Sequence, residues 1–170
     1  EEASTRLREF AARARINFVQ EPRVSVKRIC HYIELVSPDV IVIDHLGLMD
    51  RPRIKDQFKA LGMVSNSLKQ LALEKDICII ELVQMNRRIE ARSNKKPSLT
   101  DLRESGDIEQ DADYVMFLIP QDLKDVDLEG PECAESTLYL EKNRHGRPGI
   151  FKFAWQPQYH RFAEYEKRYE

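Results

Sequence analysis

The sequence predicts an α/β domain: a mostly parallel sheet flanked by helices and finished by a C-terminal β-hairpin. Three observations carry this expectation. Val40–Ile43 is a short, β-branched apolar run without polar alternation, the pattern of a strand buried on both faces, and it stops abruptly at Asp44. A second apolar run at 77–83 follows a long helical pattern, giving a strand-helix-strand unit for which a right-handed crossover is expected. Residues 136–144 and 149–155 alternate in polarity around His145-Gly146-Arg147-Pro148, the signature of a hairpin at a sheet edge.

Leu7, Phe10, Ala11 and Ala14 fall at helical spacing, predicting an amphipathic helix over 1–16, with a short strand at 17–20. Val26, Ile29, Cys30, Ile33 and Val36 mark a second helix, which Ser37-Pro38 ends because a residue before proline avoids helical geometry. After a polar stretch at 51–55, Ile54, Phe58, Leu61, Val64, Leu68 and Leu71 line one face of the longest helix. The segment 84–99 is basic, carries Ser, Asn and Pro, and is long for a compact domain, so it is a candidate functional loop. Residues 100–111 read as helix broken around Gly106, and 114–119 as a third buried strand.

A chain of 170 residues is one domain, with room for a real core but not for two. No apolar run approaches the roughly 20 residues needed to span a bilayer, and no segment has the pattern of a signal peptide. A cytoplasmic location is expected. The chain opens on Glu1 rather than Met, as a fragment or processed product would. Cys30, Cys78 and Cys133 lie far apart without CxxC spacing, which fits a reducing compartment, and the four histidines lack the spacing of a zinc site. The net charge of −2 is unevenly spread. From Arg87 to Arg103 six basic residues face two acidic ones, a local excess suited to a phosphate backbone. From 119 to 135 six acids face one lysine, which reads as a solvated acidic loop.

If the sheet is parallel, Asp44 and Gln84 share one rim, beyond the carboxyl ends of the strands, where open α/β sheets bind ligands. A carboxylate that positions Mg²⁺ and an amide that senses a terminal phosphate form a workable pair for nucleotide hydrolysis. Capping a turn and satisfying a loop backbone are their ordinary alternatives. Lys142 and Arg144 are two apart on a strand and project from one face. Both suit phosphate oxygens, which arginine can grip bidentately, although charged edge strands also serve to block aggregation.

The stretch LTDLRESGDIEQDAD at 99–113 resembles the DLRxSGxIEQDAD motif of DnaB-type replicative helicases. VIVIDHLGLM at 40–49 resembles their Walker B strand, Gln84-Met85-Asn86-Arg87 their QLNR motif, and Lys142-Asn143-Arg144-His145-Gly146 their KxRxG segment. These four motifs stand in the family's order from Val40 to the C-terminal part of the chain. The resemblance implies a RecA-like core, with 1–170 a single, partial motor domain of a bacterial or phage helicase. It implies a homo-hexameric ring that uses ATP and Mg²⁺ to move 5′ to 3′ on single-stranded DNA, with primase and a helicase loader as partners. Asp44 would then be the Walker B carboxylate, holding Mg²⁺ through water, and Gln84 the sensor of the γ-phosphate. Arg144, with Lys142 beside it, would be the arginine finger that reaches the nucleotide of the neighbouring subunit. Arg103, Glu104 and Gly106 would line the channel and contact DNA, with Arg87 in the same DNA-facing set.

The chain also departs from the family. It contains no GxxxxGK[ST] phosphate loop, which is therefore expected upstream of Glu1, and the chain alone is expected neither to bind ATP tightly nor to hydrolyse it. Glu81 and Val83 stand where the family usually has small or hydroxylic residues. A RecA-like module that only joins rings or holds DNA is the alternative reading. A metal-dependent nuclease using Asp44 and Glu81 ranks last, because Glu81 is expected inside its strand rather than at its end.

Overall fold

The two longest described helices begin where a side chain satisfies their first amides. In the computed structural model, which describes residues 5, 13, 15–85, 96–105, 108–120 and 134–164, Ser25 Oγ accepts from Arg28 N at 3.2 Å. Helix α1, Val26–Val36, follows from that cap and buries Ile29 and Ile33. It ends at Ser37, in the left-handed region with φ 46°, one residue before Pro38. Asp56 Oδ1 accepts from Phe58 N and Lys59 N, both at 3.0 Å. This cap sets the start of α2, Gln57–Lys75, and leaves Ile54 outside it. Phe58, in the first turn, is exposed rather than part of the buried stripe, which runs through Ala60, Val64, Leu68 and Leu71.

The strands β1, Val40–Ile43, and β2, Cys78–Glu81, pair in parallel on either side of α2 in sequence, from Val40 opposite Cys78 to Ile43 opposite Glu81. The βαβ unit is therefore present. Burial on both faces is not. Ile41 and Ile43 turn toward the core, whereas Val40 and Val42 on the alternate face are 51% and 59% exposed, and no described residue covers them. An uninterrupted apolar run says nothing about which neighbours arrive, and here only one face receives them. The core joins Ile29 and Ile33 to Ile43, Leu46, Met49, Val64, Leu68 and Leu71, and to Ile108 from α3, the single turn Ile108–Asp111.

The other four strands form an antiparallel sheet in the order β3-β4-β5-β6: Tyr114–Pro120, Ala134–Asn143, Gly149–Gln156 and Arg161–Glu164. Strand pairing among the described residues is thus mostly antiparallel, where the sequence suggested a mostly parallel sheet. Strand β3 pairs with the hairpin strand β4, not with β1 or β2. Its apolar composition is compatible with either direction, and its alternate residues Tyr114, Met116 and Leu118 are exposed. The hairpin lies where expected, around the turn at 144–148. Strand β6 was not foreseen. It returns through the 3₁₀ turn Pro157–Tyr159, made possible by His160 at φ 47°, and stacks Phe162 on Trp155 with ring centroids 4.5 Å apart.

The expected strand at 17–20 is absent, and Phe18 and Val19 are exposed without regular structure. The expected helix at 1–16, most of the 84–99 loop and the acidic stretch fall largely outside the described residues. Among the described residues no helix is long and apolar enough to cross a membrane.

Candidate functional site

Parallel pairing of β1 and β2 brings their carboxyl ends to one rim, and the chain beyond them is stitched together. Leu82 N donates to Ile43 O at 3.0 Å, and Leu46 N donates back to Leu82 O at 2.9 Å. Asp44 follows β1 directly and Gln84 lies three residues beyond β2, both past the carboxyl ends of the parallel pair. Both side chains are exposed. The turn beyond Asp44 is held by Leu46, fully buried, and by Arg51 Nη2, which donates to Gly47 O at 2.7 Å.

The residues expected to contact DNA divide. Arg103 and Glu104 lie on a 3₁₀ segment, Leu99–Ser105, whose entry is fixed by Asp101 Oδ2 accepting from Ser98 N at 2.8 Å and Ser98 Oγ at 3.2 Å. Leu102 of that segment is buried beside Val115 and Phe117. Gly106 and Arg87 lie outside the described residues. The helix break expected around Gly106 therefore also falls outside the described residues.

Lys142 and Arg144 form the best-defined cluster. A β-bulge shifts the register of β3 against β4 between Val115 and Met116, so that Val115 faces Lys142 while Met116 faces Leu140. Bulges re-aim the residues beside them. Lys142 Nζ donates to the carbonyl oxygens of Glu109 and, at 3.3 Å, Gln110. Arg144 Nη2 donates to Gln110 O at 3.0 Å and Nη1 to Asp113 Oδ1 at 2.9 Å. Two cations thus occupy carbonyls that one helical turn leaves without internal partners. Asp113 Oδ2 also accepts from Lys69 Nζ at 2.6 Å. That bond, with the charges of Lys69, Arg144 and His145, holds the Asp113 carboxyl below its ordinary range. Sequence reasoning placed Lys142 and Arg144 together but missed Lys69, whose position on α2 gave no signal of its partner 44 residues away.

Glu81 is the last residue of β2, at the strand end and not inside the strand, where the sequence had placed it. It pairs in register with core-facing Ile43, so it points inward while Asp44 occupies the next, exposed position. Burial, and secondarily the charge of Asp111, push its carboxyl up to about 7. No group of three or more potential metal-ligating side chains occurs among the described residues.

Residues 3–164 match the family described as the DnaB-like helicase C terminal domain. The replicative DNA helicase DnaB of Leifsonia xyli subsp. xyli is 37% identical over 143 residues, 83% of this chain and 31% of that protein. The replicative DNA helicase DnaB of Geobacillus stearothermophilus is 38% identical over 133 residues, 77% of this chain and 29% of that protein. Among solved structures, a DnaB-like replicative helicase studied for its interactions with primase superposes with a TM-score of 0.79 at 32% identity, over 89% of this chain and 37% of that one. A second solved structure, of an ATPase domain, gives the same score and identity, over 89% of this chain and 55% of that one. The chain spans about three-tenths of the length of these curated relatives. It belongs to the DnaB-like helicase C terminal domain family.

Proposed function

We propose that this chain is the C-terminal portion of the motor domain of an ATP-dependent replicative DNA helicase, a homo-hexameric ring that moves 5′ to 3′ on single-stranded DNA. The observation that carries this is the joint presence of the family's domain and of Asp44 and Gln84 on one parallel-strand rim. In this assignment β1 and β2 are the parallel part of a mostly parallel RecA-like sheet, β3–β6 are its antiparallel continuation, and 1–170 is one partial motor domain.

The donor chemistry at Asp44 fits Mg²⁺, a hard cation that takes carboxylate oxygen and keeps several waters beside substrate phosphates. When bound with ATP, that ion would supply positive charge against the charge developing on the transferred phosphoryl group. Asp44 would hold the ion through water, and Gln84, on the same rim, would contact the terminal phosphate and carry its presence into the segment that follows. Arg144, supported by Lys142, completes the site of the adjacent copy. A finger supplied in trans places each site at a head-to-tail contact, and a closing heterologous contact makes a ring. Arg103, Glu104, Gly106 and Arg87 hold the DNA backbone, Arg103 and Arg87 by charge and Gly106 by close backbone approach. Primase and a loader are its partners, and its place is the bacterial or phage-infected cytoplasm.

The test is single-stranded-DNA-stimulated ATPase activity of the full-length parent, wild type against Asp44→Asn, with the 170-residue chain as control. Stimulated turnover that Asp44→Asn abolishes, with no turnover by the chain alone, supports the motor. A parent without ATPase activity that still binds DNA would make the chain a ring-assembly or DNA-holding module.

A further inference from the structure

One carboxylate, at the junction of α3 and β3, is divided between two cations. Asp113 Oδ2 accepts from Lys69 Nζ at 2.6 Å, and Oδ1 accepts from Arg144 Nη1 at 2.9 Å. The two halves of the cluster are not equivalent. The Lys69 side chain, on α2, is 20% exposed, whereas that of Arg144, just past β4, is 46% exposed. The shorter, more enclosed bond fixes the carboxylate, and the carboxylate in turn orients the more exposed arginine. The bond from Lys69 also favours the ionised form of Asp113.

Arg144 is gripped at part of its fork only. Its backbone N–H donates to Asp113 O at 2.9 Å, Nη1 donates to Asp113 Oδ1, and Nη2 donates to Gln110 O at 3.0 Å. Each Nη makes one bond, so Nε–H and the second N–H of each Nη have no partner among the described residues. The charge balance points the same way. A single carboxylate faces both Lys69 and Arg144, and Lys142, two residues earlier on β4, is spent on carbonyl oxygens. The cluster therefore keeps positive charge at its exposed end, where a planar fork with unused donors suits anionic oxygens.

We propose that Asp113 is a positioning residue for Arg144: anchored by Lys69, its carboxylate holds the guanidinium in one outward orientation, so that the arginine meets the phosphate of a neighbouring copy already aligned. Asp113 and Lys69 act through Arg144 and not on the phosphate itself. This inference rests on the function proposed above, which places Arg144 at the nucleotide of the adjacent copy. The gain is preorganisation. A free arginine side chain loses much rotamer freedom when it docks, and a partner that has already ordered it lowers that cost. The exposed pair is also weak enough for the guanidinium to shift outward while the backbone bond keeps its base in place.

The experiment measures DNA-stimulated ATPase activity of the full-length parent, as kcat and KM for ATP, in Asp113→Asn, Arg144→Ala and the double variant. Asp113→Asn removes the charge and keeps the size. Its kcat should fall by about three- to fivefold, the scale of an exposed ion pair, with KM for ATP unchanged. In the double variant Asp113→Asn should add nothing to the loss caused by Arg144→Ala, because a residue acting only through the arginine has no effect without it. A general structural role predicts the same fractional loss in both backgrounds. Wild-type or faster turnover by Asp113→Asn, or an equal loss with and without Arg144, overturns the proposal. If Asp113→Asn fails to fold, Lys69→Met, which keeps the Asp113–Arg144 pair but frees the carboxylate, goes through the same cycle and decides. Arg144→Ala alone separates the two readings. If it retains wild-type turnover, the function proposed above falls and this inference with it; a deficient Arg144→Ala beside an unaffected Asp113→Asn overturns the positioning alone.

Discussion

Arg144 is tied to Asp113 at two points: its backbone N–H donates to the Asp113 carbonyl at 2.9 Å, and its guanidinium Nη1 donates to Asp113 Oδ1, also at 2.9 Å. The backbone bond fixes where the residue stands; the side-chain bond fixes where its charge points in this chain. The side chain is 46% exposed, so the ion pair contributes only about 0–1 kcal/mol. A charge held this lightly can leave for a phosphate on a neighbouring copy at little cost. The backbone bond keeps its base in place meanwhile.

Asp113→Asn should reveal how much of this cluster depends on charge. The Asp113 pKa is depressed in the folded chain, so its contribution is present above the unfolded value and is lost as pH falls through the folded one. Thermal melts from pH 6 to pH 2.5 should show wild type losing stability faster than the variant, with the gap between them closing at the acid end. A constant gap across that range would mean that Asp113 acts through shape alone.

Leu68 is fully buried at the centre of the core beneath β1 and β2. Leu68→Ala should cost about 2–5 kcal/mol in denaturant unfolding. Asp56→Ala, which removes the cap at two amides, should cost about 1 kcal/mol, or roughly 2–4 °C of melting temperature. Equal losses would argue against the assigned core.

Arg103→Ala should weaken single-stranded DNA binding by the parent without changing sequence preference. One lost phosphate contact should reduce the slope of log K against log salt by about 0.7. Fluorescence anisotropy across salt concentrations measures it, and an unchanged slope would remove Arg103 from the DNA-contacting set.

Much of this was legible because it depends on local patterning. The two helices, the parallel pair around α2, the hairpin and the neighbourhood of Lys142 and Arg144 follow from periodicity and spacing in the sequence. The partner of β3 was not legible, because an apolar strand reads the same beside a parallel or an antiparallel neighbour. The exposed faces of β1 and β2 were hidden for a related reason: composition records what a face prefers, not what covers it. Glu81 was misjudged by assuming that its strand ran to Val83, when ladder pairing ends at Glu81. The Lys69–Asp113 pairing joins residues far apart in sequence, and no single-sequence pattern encodes it.

The central claim is that one copy's Asp44 and another copy's Arg144 serve the same nucleotide. Mixing two inactive full-length parents, Asp44→Asn and Arg144→Ala, tests it most directly. Arg144→Ala alone should lower DNA-stimulated turnover by about three orders of magnitude while nucleotide binding persists. In mixed rings, an Arg144→Ala subunit keeps its Asp44 and can receive an intact arginine from an Asp44→Asn neighbour, so ATPase activity should reappear. If mixing restores nothing although mixed rings form, or if Arg144→Ala alone retains wild-type turnover, the shared site is wrong.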